Sequence, residues 1–543
     1  MTRSPLSVAA EYAASGWRLA ARQVRGEWSS LTPARSRSGP RRMLARPRDL
    51  RPADLEQGRA ILEGRFTLAG QLLDVGRGGD PWDRPSPSRD FAVELHRFAW
   101  LPALVALGET GAREALRLVL DWERVFGRPS GFAWTPEILE RRVFNLACGI
   151  GPALELATNA DASRLLGSLA RQAGRLAVER EDAGRTAERV VAAATAAAVT
   201  DAGLAQGLLK STLARLGPAL RSAVLADGTH RSRSPERGLE LLFDLLTLDA
   251  ALAERGLPVP AAVSGATDRL RTGVRLFRRA DGRLAAFHGG RSSGAERVRA
   301  ALGDAGEGAA AGDQAPHGGY QRLSARTLRV LVDAGPPADG DWSLQATAHA
   351  LAIEVTVGRE PLIISGRNDG SAAARRTPGG SAATVGEDSL GEVLPGARAR
   401  GLGARLAGGL QAVDVRRSAD AEFTLWVELS HGGWVRRHGF LAERRLFVDV
   451  AADELRGEDR FTPASPQPTQ TPFAVRFHLA QGVTALAAED GRSVALVTPA
   501  GAHWRLRNDA SAHAVEDGVV VLRGYIQPQG GARLRWKVSP EPS

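Results

Sequence analysis

Residues 303–319 read GDAGEGAAAGDQAPHGG, and the rhythm of the chain changes across them. The stretch is rich in glycine and alanine and has no apolar periodicity, which marks a linker. Before it, from about Asp49 to Leu302, apolar residues recur at helical spacing. Residues 162–181 (ASRLLGSLARQAGRLAVERE) put Leu165, Leu166, Leu169 and Leu176 on one face, and residues 204–225 and 237–255 carry longer stripes. Breaks at 200–203 and 226–235 separate them, so successive helices joined by short loops pack antiparallel. After Tyr320 the period becomes two. Residues 327–332, 351–357, 361–365, 410–415, 423–429, 446–450, 473–479, 494–498, 519–522 and 534–538 are rich in β-branched side chains and bounded by turn residues. Ten such runs without an intervening helical pattern predict an antiparallel sandwich. Residues 387–401 and 453–470 are expected to be long loops.

The expected organisation is therefore a leader at 1–45, a helical domain at 46–302, a linker at 303–319 and an antiparallel β domain at 320–543. A chain of 543 residues exceeds what one core holds, in keeping with two domains. No stretch approaches the ~20 apolar residues of a membrane span. The run VVAAATAAAV at 190–199 is expected to be a buried helix.

The formal charge is +10. Residues 1–51 hold eleven arginines against Glu11, Glu27 and Asp49, a surplus of eight, so the rest of the chain is nearly balanced. Residues 12–24 alternate apolar and basic residues like a short amphipathic helix, suited to peripheral contact with an acidic polymer or anionic lipid; a solvated leader is the plainer alternative. Arg18, Arg22 and Arg25 interrupt any signal-peptide core, so a cytoplasmic or membrane-peripheral location is expected over a periplasmic one. Only Tyr12, Trp17 and Trp28 are aromatic in the arm, too few to interleave with its arginines, which argues against nucleic acid. Cys148 is the sole cysteine, which excludes an internal disulfide and a CxxC metal site.

Several segments occur in a telling order: ELHRFAWL at 94–101, WTPEILERRVFN at 134–145, DGTHRSRSP at 227–235, GYQRL at 319–323 and HGGWVRRHGFLAERR at 431–445. In order and spacing the chain resembles the heparinase II/III-like family, and the spacing of Trp134, Arg142 and Asn145 is similar to that family's W-(x)7-R-x-x-N helix. The resemblance implies an incomplete (α/α) toroid followed by an antiparallel β-sandwich. It also implies β-elimination on a uronate-containing acidic polysaccharide. That reaction needs a group to neutralise the C6 carboxylate, a base for the C5 proton and an acid for the leaving oxygen.

Measured against that pattern, the chain departs at its chemistry. Where the resemblance calls for a tyrosine two residues past the proline of DGTHRSRSP, the chain has Arg237. A guanidinium stays protonated and cannot be that base, but it can bind a carboxylate. The family's paired histidines fall at Gln345 and Thr347, with His349 two residues on and, if the segment is a strand, on the same face as Thr347. The catalytic candidates are thus His349, His230 and Tyr320. His230 is alternatively a loop histidine bonding main-chain carbonyls, and Tyr320 a packing residue. Arg142, Asn145, Arg233 and Arg237 are candidate sugar ligands, expected to converge with His230 and His349 in one groove. Arg142 and Asn145, three apart on one helix face, could instead cap a neighbouring helix. The alternative to a lyase is a catalytically degenerate acidic-glycan-binding or envelope-assembly protein. The zinc ligands of some relatives are replaced by Thr347, Ile364 and Ala442, so neither metal nor cofactor is expected. Metal analysis of the purified protein should return far less than one zinc per chain; stoichiometric zinc would sink this alignment.

Overall fold

The computed structural model describes residues 42–179, 183–201, 203–303, 312–420, 424–465 and 469–541, together with 13, 16 and 17. Most of the leader, its proposed amphipathic helix included, and residues 304–311 of the linker lie outside the described residues. Two compact units emerge. One takes Trp17–Ala223 and Glu240–Asp268; the other takes Val224–Leu239 and Arg269–Ser543. The loop DGTHRSRSP and the helix Ala295–Leu302 thus group with the β half, although the helical rhythm of the sequence runs on to 302.

The helical unit follows its periodicity closely. The helices Asn159–Ala177, Thr186–Val199 and Gly203–Ala223 stand where the apolar stripes predict them. Leu165, Leu166, Leu169 and Leu176 are buried, and so is the alanine-rich 190–199 run. Thr158 starts the first of these helices by accepting the main-chain N–H of Asp161, which satisfies an otherwise orphaned donor. One departure is a β-hairpin, Arg65–Leu68 with Gln71–Asp74, inside the helical half. A buried cluster also ties the unit together: Asp244 receives Arg51 at 2.7 Å and Arg141 at 2.9 Å. Among the described residues no helix is long and apolar enough to cross a membrane.

The β half is a sandwich of two antiparallel sheets. Among the described residues the first sheet runs Ala512–Glu516, Val519–Ile526, Thr471–Leu479, Glu360–Ile364, Ile353–Val357, Leu328–Asp333, Tyr320–Ser324 and Gln314–Ala315, with Ala383–Val385 also paired to Thr471–Leu479. The second runs Asp414–Asp420, Thr424–His431, Phe440–Asp449, Glu454–Pro463, Ala532–Pro540, His503–Asn508, Ser493–Val497 and Thr484–Ala487. Inward residues such as Val330, Ile353, Leu446, Leu455, Phe477 and Leu506 form one core.

Two expected loops are corrected. Residues 387–401 hold the strand Gly391–Val393 and the helix Gly396–Leu402. Residues 453–470 hold Glu454–Pro463, a strand in the middle of the second sheet. Its alternation is disguised because the inward positions include Gly457 and Asp459 beside Leu455 and Phe461. A carboxylate faces the core there because Arg444, itself buried, donates to Asp459 at 2.8 Å and Trp536 Nε1 donates at 2.9 Å. Arg444 Nη1 also reaches Leu351 O and Ser381 O, so one guanidinium links the two sheets. A buried ion left without its partner costs about 3–5 kcal/mol. Asp459→Ala should therefore lower unfolding stability by about that much in urea titration, and a change below 1 kcal/mol would deny Arg444 its structural role.

Candidate functional site

The DGTHRSRSP loop is held by its own short side chains. Asp227 accepts the N–H and hydroxyl of Thr229 and, with its other oxygen, the N–H of Gly318. The loop ends at Arg233, a non-glycine residue with φ of 63°. Its guanidinium is buried and fully engaged. Nε donates to Gly318 O at 2.7 Å, Nη1 to Pro336 O at 2.7 Å and Gly335 O at 3.0 Å, and Nη2 to Gly319 O at 2.9 Å and Asp333 at 2.5 Å. Gly319, at φ of 67°, packs so closely that an added Cβ would meet Gly335 Cα at 2.7 Å and Arg233 Nη2 at 3.1 Å. Five donors with five or more acceptors leave none for a sugar carboxylate. The expectation for Arg233 as a sugar ligand is corrected on that ground.

Beyond Asp333 lies a histidine that the sequence reading did not single out. His288 Nε2 is 3.0 Å from the second oxygen of Asp333, and His288 Nδ1 accepts the N–H of Thr347 at 3.2 Å. An accepting Nδ1 puts the ring proton on Nε2, aimed at the carboxylate. Burial pulls the imidazole below its ordinary pKa, against the pull of Asp333. Burial tends to raise the Asp333 carboxyl, but the Arg233 guanidinium and His288 outweigh it and hold the group below its ordinary value. A closed cavity of about 10 Å³ adjoins His288, Asp333, Thr347 and His349, room for about one water.

The remaining candidates are placed as follows. Tyr320 is fully buried, its ring against Phe277 and Phe287 at 4.7 and 5.3 Å, and its hydroxyl donates to Arg233 O. Burial pushes its pKa well above 10. It is the packing residue of the two readings, not a base. His349 does not lie on a strand, which begins only at Ile353, so it shares no pleat with Thr347. Its Nε2 donates to Ala374 O at 2.8 Å, and its ring lies so near Gly380 that an added Cβ there would meet it at 2.4 Å. Burial lowers its pKa to about 4. His230 is buried, with Nδ1 2.7 Å from Ser232 Oγ and its ring 5.5 Å from that of Trp342.

Arg142 and Asn145 belong to the helical unit, apart from the others in the division of the chain. Arg142 is fully buried and donates to Gln172, His96 O and Ala133 O. Asn145 donates to Arg97 O and Phe98 O. The carbonyls of His96, Arg97 and Phe98 lie at and just past the end of the helix Arg89–His96, which is the geometry of the capping alternative for both residues.

Arg237 differs from these. It opens the helix Pro235–Glu254, and its guanidinium carbon sits 5.9 Å from the Trp342 ring. A groove of about 560 Å³, which Arg237 and Trp342 do not line, is bordered by Arg231, His317, Arg405 and Gln411 on its polar side and by Leu402 and Leu410 on its apolar side. Arg231 and His317 are exposed, and Arg405 pairs with Asp341. No sequence signal distinguished Trp342, Arg405 or His288, since each gains its meaning from neighbours distant in the chain.

The geometry can be set beside known proteins. Residues 307–541 match the model of the heparinase II/III-like C-terminal family. Over 546 aligned residues the chain is 43% identical to the FtsZ-localized protein C of Caulobacter vibrioides, covering 96% of this chain and 94% of that one. This chain belongs to the heparinase II/III-like family. In fold it is similar to heparinase III (TM-score 0.67, 14% identity, 99% of this chain and 92% of that one) and to the heparan sulfate lyase HepC of Pedobacter heparinus (TM-score 0.58, 14% identity, 100% and 92%). The toroid-plus-sandwich expectation stands. Burial lowers the pKa values of several histidines across the chain. His96, His349, His431 and His478 each fall to about 4 from 6.5. Their folded-state values are depressed, so their stability is whole above pH 6.5 and is lost as pH falls toward 4. The urea midpoint should drop across that window; a flat profile would show these rings to be solvated.

Proposed function

We propose that this family member binds an acidic envelope glycan without cleaving it. One observation carries the reading: the groups in line to move protons are consumed by the fold. Tyr320 donates to Arg233 O, His349 donates to Ala374 O, and Arg237 stands where the resemblance calls for a tyrosine. A base must reach the C5 proton to within ~3 Å, directly or through one water. A buried imidazole wedged against glycine backbone does not offer that reach.

Binding asks for less. Arg231, exposed at the border of the groove, supplies a cation for carboxylate or sulfate groups, with the His317 ring beside the same groove, and Arg237 sits against Trp342 in the same unit. The likeness to the FtsZ-localized protein C supports a place with FtsZ for this chain as well. The lyase reading remains the rival, supported by the fold shared with heparan sulfate lyases.

One assay separates them. Incubated with heparan sulfate and a panel of uronate polymers, the protein should give no rise in the unsaturated-uronate absorbance band, yet retard the polymers in affinity electrophoresis. Arg237→Ala should weaken that retention by about 1.5–3 kcal/mol, the worth of a charge-assisted hydrogen bond. Turnover by the unaltered chain would overturn the binding-only reading. Retention unchanged in the Arg237 variant would remove Arg237 from it, and retention unchanged in Arg231→Ala would remove the groove.

A further inference from the structure

Residues 390–411 leave the sandwich and return to it as a flap. Among the described residues the strands Gly391–Val393 and Leu406–Gly408 pair only with each other, outside both large sheets, and the helix Gly396–Leu402 forms the tip. We propose that this flap is a hinged wall of the groove, latched by Arg405 on Asp341, and that it clamps the glycan chain bound there. The clamp rests on the glycan reading of the groove; the hinge and the latch do not.

The foot of the flap is built to bend. Gly391 lies opposite Gly408, and a Cβ on Gly391 would meet Gly409 N at 3.3 Å. Gly408 and Gly409 follow each other at φ of 79° and 97°, a region that glycine enters at no steric cost. Glycines side by side on both legs leave that line without side chains to resist rotation, as a hinge requires. The inner side is apolar. Leu394, Leu402 and Leu406 are buried and line the groove, whereas Glu392, Arg400 and Ala404 are exposed. Arg231, Pro336, Pro337 and Ser343 belong to the facing wall.

The ties across the groove are local. Leu406 packs with Ala346 and Ala348 in a small apolar cluster apart from the core between the sheets. Arg375 Nη1 donates to Ala404 O at 2.6 Å, and Arg405 pairs with Asp341. A segment resting on a small separate cluster opens at a lower free energy than the core does. Leu410, at the foot, walls both the groove and the closed cavity that Ala348 lines, so lifting the flap joins the two. A wall that lifts admits a long chain from the side, and one that recloses slows its release.

The test places a reporter thiol under the flap. In the full chain with Cys148→Ser, which removes its one native thiol, Ala348→Cys puts a buried sulfur against Leu406, and modification by a maleimide reads opening. Labelling should be slow, and Asp341→Asn should speed it at least tenfold; equal rates would overturn the latch. If Ala348→Cys fails to fold, hydrogen exchange makes the same comparison. Asp341→Asn should then speed exchange in peptides spanning 391–411 and not in the strand Phe440–Asp449, and acceleration throughout the chain would overturn the local hinge. Release of uronate polymer from the immobilised protein reads the clamp. Asp341→Asn should release it at least tenfold faster; an unchanged or slower rate would overturn the clamp. If the unaltered chain retains no uronate polymer, the glycan reading and the clamp fall together, while faster labelling in Asp341→Asn would still establish the hinged, latched flap.

Discussion

A buried guanidinium needs five acceptors, and that demand organises the β half of this protein. Arg233 draws four main-chain carbonyls, from 318, 319, 335 and 336, and the Asp333 carboxylate around one side chain. Each is a group that would otherwise have to find its own partner in the interior. The same carboxylate turns to His288, which takes the Thr347 N–H, while the Arg233 carbonyl receives Tyr320. Five segments of the chain, at 233, 288, 318–320, 333–336 and 347, are thereby locked at one point. Removing the arginine would leave an uncompensated charge on Asp333 and several unmatched carbonyls, so the position is hard to lose even when chemistry is lost.

Arg444 does comparable work between the sheets. Ion pairs in a core are weak evidence for net stability, since desolvation consumes much of their attraction. Their value here is positional. Arg444 reaches across from the second sheet to carbonyls of Leu351 and Ser381, and so fixes the register of the irregular segment bearing His349. That segment is where catalysis in the family would be sought, and in this chain it is packed shut.

The architecture rests on buried arginines, capped helices and apolar alternation, none of which requires the proton-transfer set. Desolvation lowers the pKa values of His349 and His478, and both rings donate to main-chain carbonyls. Exposed cations such as Arg231, Arg507 and Arg535, by contrast, lie where charge can act on a partner.

Much of this was legible in the linear chain. Helical and strand periods, the switch after residue 319, the antiparallel sandwich and the family followed from apolar spacing and motif order, because such patterns report burial at fixed repeats. The strand Glu454–Pro463 escaped, since an inward aspartate reads as polar unless its partner Arg444 is known. Arg142, Asn145 and Arg233 looked like ligands because an arginine in a sequence has no visible acceptors. Only the tertiary structure shows whether carbonyls from elsewhere consume its donors. His288 gained its importance from Asp333, 45 residues away, and His349 lost its own to Ala374 and Gly380. By itself, then, the sequence determined the fold and its order of elements, which depend on local periodicity. Which charged groups face inward and which face a partner was decided by contacts between residues remote in the chain, where desolvation and hydrogen-bond geometry set the outcome.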